Sequence, residues 1–286
     1  MVQIGIYEKA LPKNISWNER FSLVKEMGFD FIEMSIDETK ERLARLDWSK
    51  EEIAELREEM FHSGVRIHSI CLSGHRRFPF GSSDPKKKQN ARKMMEKAIH
   101  LAHQLNIKII QVAGYDVYYE EKSVNSREDF IEGLKESVKE ASKYGIILSM
   151  EIMDDPFMNS ISKFLAIKAQ IHSPYLQVYP DLGNLSAWPE NDPAHELEKG
   201  IDWITSIHLK DTYPVTEESP GQFRDVPFGN GCVDFLGLFR SLKRLGYEGT
   251  FLIEMWSETS GDFQTEIEQA KKYLCSKLKE AGYDVV

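Results

Sequence analysis

The sequence predicts an α/β fold, a single-domain (β/α)8 TIM barrel over residues 1–286, on three observations. One unit recurs along the chain: a charged amphipathic stretch ends in Gly or Asn, and a short apolar, β-branched run follows, closed by a polar residue. The apolar runs lack strict alternation, as expected of strands buried on both faces of a parallel sheet. The 286 residues also match one such barrel, which runs near ~250 residues as a single unit.

The first strand is QIGIY, Gln3–Tyr7. The full unit then appears as LVKEMGFDFIEM (Leu23–Met34), FHSGVRIHSICLS (Phe61–Ser73), AHQLNIKIIQVAG (Ala102–Gly114) and ASKYGIILSMEI (Ala141–Ile152). Two weaker runs follow, LQVYPD (Leu176–Asp181) and ITSIHLKD (Ile204–Asp211), before SLKRLGYEGTFLIEM (Ser241–Met255) completes a set of eight. Gly28, Gly64, Gly145 and Gly246 supply the left-handed residue that ends a helix, and Asn106 tolerates it. Asp84-Pro85 reads as the N-cap and first-turn proline of a long helix to about Leu105. Ser126–Tyr144 and Thr265–Ala281 carry apolar residues at three-to-four spacing. An open doubly wound sheet would share this alternation, but no GxGxxG follows the first strand and no Walker motif occurs. No linker or composition break interrupts the chain, so one domain is expected.

Composition narrows the function. Thirty-six Lys+Arg against 46 Asp+Glu give a net charge of −10, which argues against a nucleic-acid partner needing a basic face. Cys71, Cys232 and Cys275 form no disulfide framework and no CxxC pair, which points to a reducing compartment. The opening MVQIGIYEKALPKNISWNER lacks the apolar core of a signal peptide, and no run of about 18 apolar residues occurs. A cytoplasmic protein without a membrane span is the expectation.

In a (β/α)8 barrel the reacting groups stand at the C-terminal ends of the strands. Those positions carry Glu33, Ser73 with His75, Gln111, Glu151, Asp181, His208 and Glu254. Each follows or ends an apolar run, where a charge is costly to bury without a partner. A lone carboxylate there is more often a helix cap, and a lone histidine more often a hydrogen-bonded core residue. His68 is read that way, and His100 and His103 fall on a helix as surface or packing residues. Glu151, Asp181, His208 and Glu254 are different, because they end four successive strands and independent caps have no reason to fall in register. Three carboxylates and one imidazole converging on one side of the mouth need a cation. The oxygen-rich, sulfur-free set suits one divalent metal ion: Mn, Mg, Co or Zn.

GIYEKALP, FDFIEMSIDET, CLSGHRRFPFGS, QVAGYDVYYEE, MEIMD, YPDLGNLSAW, IHLKDT, VPFGNG and LIEMWSE resemble the L-ribulose-5-phosphate 3-epimerase family. This family, also described as L-xylulose-5-phosphate 3-epimerases, belongs to the xylose-isomerase-like barrels, and the resemblance runs from the first strand to the last helix. It implies interconversion of L-ribulose 5-phosphate and L-xylulose 5-phosphate, commonly in ascorbate or pentose catabolism. It also implies one divalent metal held by the Glu of MEIMD, the Asp of YPDLGN, the His of IHLKD and the Glu of LIEMW. These are Glu151, Asp181, His208 and Glu254, the four reached from strand order.

Epimerising a ketose at C3 removes the proton beside the C2 carbonyl and returns one on the opposite face. A metal bridging O2 and O3 would stabilise the enediolate as a Lewis acid, by several kcal/mol. Glu151 and Glu254, three strands apart, are the expected catalytic pair, one on each face of the sugar, while Asp181 and His208 hold the ion. For the phosphate, His75, Arg76 and Arg77 lie just beyond the third strand and Arg224 in the seventh loop, since arginine forks match phosphate. Lys210 is a further candidate for sugar oxygens or phosphate. Gly229-Asn230-Gly231 reads either as a nest of N–H donors or as a turn before a helix at Asp234. Glu33 and Asn184 would bond sugar hydroxyls, and Tyr7 and Trp256 would wall the site.

Three rivals share the barrel. Aldose–ketose isomerisation by hydride shift usually calls for two metals and a catalytic histidine, and only one ligand set is evident. An abasic-site endonuclease needs a histidine cluster and a basic surface, whereas only one of the eight histidines is well placed. A non-catalytic sugar-phosphate binder needs no opposed glutamates. The expected partner is therefore a small-molecule ketopentose 5-phosphate, and because related barrels often pair, a homodimer.

Overall fold

The structure, a computed structural model, describes residues 1–285. Eight parallel strands build it: β1 Ile4–Tyr7, β2 Phe31–Ser35, β3 Arg66–Leu72, β4 Ile109–Val112, β5 Ile147–Glu151, β6 Leu176–Tyr179, β7 Ser206–Leu209 and β8 Thr250–Ile253. They form one sheet in the order β6-β5-β4-β3-β2-β1-β8-β7, surrounded by helices. The barrel closes between β6 and β7 through only two isolated parallel bridges, Val178 with Ile204 and Asp181 with His208. Pro180 explains the thin seam: its carbonyl accepts from His208 N at 2.9 Å, but it has no N–H to return. The seam thus runs between two of the four expected ligands.

The punctuation of the chain acts as its chemistry requires. Gly28, Gly64, Gly145 and Gly246 sit at φ of 71°, 74°, 65° and 76°, and Asn106 at 57°. Asp84 caps the helix Pro85–Gln104 by accepting from Lys86 N. The helices Val124–Lys143 and Phe263–Glu280 each start two residues before the apolar spacing suggests. In the first, Ser123 and Ser126 form a reciprocal capping box, so Ser126 lies inside the first turn and does not open it.

Alternate strand residues divide the interior. Ile6, Ile32, Ile70, Ile110, Leu148, Val178, Ile207 and Ile253 are fully covered and join the helices in the main core. Tyr7, Phe31, Cys71 and Leu252 form a separate cluster inside the barrel, with Trp256 against it. Both faces of each strand are thus buried, which is why the runs show no alternation. One irregularity matters for the site. β2 and β3 pair Ile32 with Ile67 but Glu33 with Ser69, leaving His68 as the extra residue of a bulge. His68 packs on Phe31 at 4.4 Å, with Nε2 3.3 Å from Thr250 Oγ1, so it is a core histidine. Among the described residues no helix is long and apolar enough to cross a membrane.

Candidate metal centre

Glu151, Asp181, His208 and Glu254 come together at the C-terminal mouth, all buried, each offering one ligand atom within 4.8 Å of the others. Asp181 also caps the short helix that follows β6: its Oδ1 accepts from Asn184 N at 2.8 Å, which leaves Oδ2 for the centre. His208 Nε2 lies 2.9 Å from Glu33 Oε1, and its Nδ1 stands 3.3 Å from Glu151 Oε1 and 3.8 Å from Glu254 Oε2. Lys210 Nζ reaches Asp181 Oδ2 at 2.9 Å and Glu254 Oε2 at 3.2 Å.

The electrostatics show a crowded anionic site. Burial, with the charges of Glu254 and Glu151, pushes Asp181 up to about 7. Burial and the Glu254 charge likewise raise Glu151. Burial works against ionisation of Glu254 too, but Lys210 and His208 outweigh it and hold that carboxyl at about 2. The two cations are themselves raised: burial opposes their charge, and Glu33 and Glu254 overcome it for His208, Asp181 and Glu254 for Lys210. Asp181 Oδ2 and His208 Nδ1 have no aligned hydrogen-bond partner although both are buried. Three carboxylates and one nitrogen, two of whose buried atoms meet charged neighbours without an aligned hydrogen bond, fit a divalent cation.

Most of the expected substrate residues meet above this centre. Tyr7, Arg76, Asn184, Lys210, Arg224 and Trp256 line a cavity of about 30 Å³ together with Glu151 and Glu254. Arg76 lies over the edge-to-face pair Tyr115 and Tyr118, 5.3 and 5.2 Å from the ring centres, and Tyr115 in turn donates to Asp154. Arg224 stacks over Trp256 at 4.9 Å, and Tyr7 meets Trp256 edge-on at 6.3 Å. Asn184 donates to Ile152 O at 2.8 Å and leaves its own Oδ1 free. Beyond Trp256 a second cavity of about 500 Å³, with Val226, Phe228 and Met255 in its wall, shares Lys210, Glu254 and Trp256 with the first.

Several expectations are corrected. His75 does not reach the mouth: its ring packs 4.6 Å from Phe80 and its Nε2 lies 3.3 Å from Ala91 O. Burial lowers it to about 4, so it is a neutral packing residue without charge for a phosphate. Glu33 is wholly buried, bonds His208 and Ser69, and does not line the cavity where the other expected substrate residues meet. Arg77 is turned to Glu38 O at 3.4 Å on the outside. The Gly229–Gly231 nest is filled by the chain's own Asp211, whose Oδ2 accepts both glycine N–H groups at 2.8 and 3.0 Å. Lys9, which is not among the expected site residues, also lines the cavity, with Nζ 2.6 Å from Asp37 Oδ2. Its signal was present in GIYEKALP, one turn beyond the first strand.

The family described as xylose isomerase-like TIM barrel matches residues 21–277. L-ribulose-5-phosphate 3-epimerase UlaE of Escherichia coli O139:H28 (strain E24377A / ETEC) is 50% identical over 281 residues, 98% of this chain and 96% of UlaE. SgbU of Escherichia coli (strain K12) is 55% identical over 98% of each chain. A solved structure of L-ribulose 3-epimerase superposes with a TM-score of 0.78 at 17% identity, covering 98% of this chain and 96% of that one, a likeness of fold. The chain belongs to the xylose isomerase-like TIM barrels and, within them, to the L-ribulose-5-phosphate 3-epimerase family.

Proposed function

We propose that the protein is a metal-dependent epimerase that interconverts L-ribulose 5-phosphate and L-xylulose 5-phosphate at C3. The carrying observation is the placement of Glu151 and Glu254. They end β5 and begin the loop after β8, both buried, and meet around a single cation site. When bound, a divalent ion (Mn, Mg, Co or Zn) supplies Lewis-acid stabilisation of the charge that develops as the C3 proton leaves. Glu151, Asp181, His208 and Glu254 hold it. One glutamate takes the proton from one face of C3 and the other returns a proton to the opposite face, their roles exchanging with direction. Lys210, whose Nζ lies 2.9 Å from Asp181 Oδ2 at the edge of the ligand set, would bond the sugar's oxygens. Cations of the mouth, Arg76, Arg224 and Lys9, favour a phosphorylated ketose over a free one. The site holds about 30 Å³, less than a sugar phosphate, so admitting one would require its lining, which includes the stacked Arg224 and Trp256, to open.

The reading also includes a cytoplasmic homodimer, in keeping with three free cysteines and with the pairing of related barrels. Its test is an assay of both pentulose 5-phosphates and their unphosphorylated forms in D₂O, with and without added metal. Metal-dependent interconversion with deuterium entering C3 is expected, strongest for the phosphates. Absence of deuterium at C3 under every metal overturns the reading.

A further inference from the structure

The hydrogen bond beneath the centre has a direction that chemistry dictates. Glu33 Oε1 lies 2.9 Å from His208 Nε2, and Ser69 Oγ donates to Glu33 Oε2 at 2.5 Å. The side chains of Glu33 and His208 are both fully covered, so no water competes for these atoms. An ionised carboxylate only accepts, so the ring nitrogen facing Glu33 carries the proton. Without metal His208 is a cation with both ring nitrogens protonated; a bound ion would displace the proton of Nδ1, the nitrogen turned toward Glu151 and Glu254, and leave the one N–H of the neutral imidazole on Nε2. Tyr179 packs 4.5 Å from the imidazole and restricts its rotation. The bulge at His68 brings Ser69 opposite Glu33, so a defect in the β2–β3 ladder aims the carboxylate across the barrel.

We propose that Glu33 is a positioning residue: it selects the Nε2–H tautomer of His208 and so presents Nδ1 to the metal. The inference rests on the metal-centre reading and adds an outer partner to its four ligands. Such partners orient the ring and raise its basicity, and their loss typically costs 10–100-fold in metal affinity.

Zn²⁺ serves as a diamagnetic probe. Its affinity is measured by competition with a chromophoric chelator for the full-length wild type, Glu33→Gln and Glu33→Leu, alongside urea unfolding of each metal-free protein. ¹⁵N-histidine spectra of the zinc-loaded wild type report the tautomer directly. Glu33→Leu is expected to weaken zinc by about 10–100-fold, with Glu33→Gln between it and wild type, and His208 to show a protonated Nε2 and a metal-bound Nδ1. Equal zinc affinity in folded variants, or a protonated Nδ1 in the loaded wild type, overturns the proposal and leaves the four-ligand site standing. A wild type that binds no zinc, manganese, magnesium or cobalt overturns both. Should the variants fail to fold, the wild-type spectrum decides alone.

Discussion

Glu8 and Asp181 are both carboxylates just past a strand end and both buried, yet the two halves of the barrel treat them oppositely. Glu8, after β1, receives Arg45 Nη1 and Nη2 at 2.6 and 2.7 Å, with Arg20 Nε and Arg42 Nε each 3.7 Å away. Burial alone would raise its pKa, but the three guanidinium groups hold it below the ordinary carboxylate value. Arg42 extends the network to Asp37 at 3.1 Å and Glu258 at 2.7 Å. Asp181, after β6, has Lys210 at 2.9 Å but shares it with Glu254 and also faces Glu151, and burial with that repulsion pushes it up to about 7. Equal burial thus says little about the role of a carboxylate. Its neighbours decide whether it ties the fold together or waits for a cation.

The largest effect should come from breaking the anionic half. Gln keeps the size of Glu but cannot take a proton, so Glu151→Gln and Glu254→Gln should each lose at least the ~10²–10⁴-fold that general acid–base catalysis contributes. In variants shown to retain metal, one should exchange the C3 proton only from L-ribulose 5-phosphate and the other only from L-xylulose 5-phosphate. Identical exchange by both would remove the two-face assignment. Chelation should abolish turnover with the circular-dichroism spectrum intact, because a chain this size has enough core without an ion.

Stability tests sharpen the contrast. Glu8→Ala removes the carboxylate that buried Arg20 and Arg42 and partly buried Arg45 share, leaves Arg20 and Arg45 without an acidic partner, and should cost about 3–5 kcal/mol in urea unfolding. Asp181→Asn, in the metal-free protein at alkaline pH, should stabilise it, because the neutral amide avoids a charge that the site disfavours. A destabilised Asp181→Asn beside a neutral Glu8→Ala would invert the comparison.

Proton linkage gives a gentler version. Asp181 stands at about 7 when folded against an ordinary 3.8, so the folded state binds the extra proton between these values. Metal-free stability should therefore rise as pH falls from above 7 toward about 4. Glu8 has the opposite sign: depressed from 4.5, it contributes stability above that value and loses it as pH falls through its folded value. The chelated protein should be more stable at about pH 5.5 than at about pH 8, then weaken below about pH 4, and saturating metal should flatten the upper limb. The smallest effect is expected from Trp256→Phe. It trims the Arg224 stack, worth about 0.5–1 kcal/mol at exposed sites, and should raise KM a few-fold with kcat nearly unchanged. A collapse of kcat would assign Trp256 a larger part than covering the mouth.

The sequence alone carries the barrel and the four polar strand-end residues that meet at its mouth. The helix-ending residues Gly28, Gly64, Gly145, Gly246 and Asn106 and the unalternating runs place each strand. In a barrel of successive parallel strands, order along the chain is nearly order in space, so residues at strand ends can be assigned to one mouth. Glu151, Asp181, His208 and Glu254 were legible for that reason. What lies one turn beyond or one layer below was not. His75 turns back against Phe80 because the 3-10 turn Ser73–Arg76 redirects the chain, and the N–H groups of Gly229 and Gly231 close on Asp211 rather than on a ligand. Glu33 looks like any strand-end acid until the barrel closes and brings His208, 175 residues away, against it. Strand positions follow from local apolar pattern and capping, whereas the partner of a buried polar atom is chosen by contacts between distant segments, and only the tertiary structure brings those together.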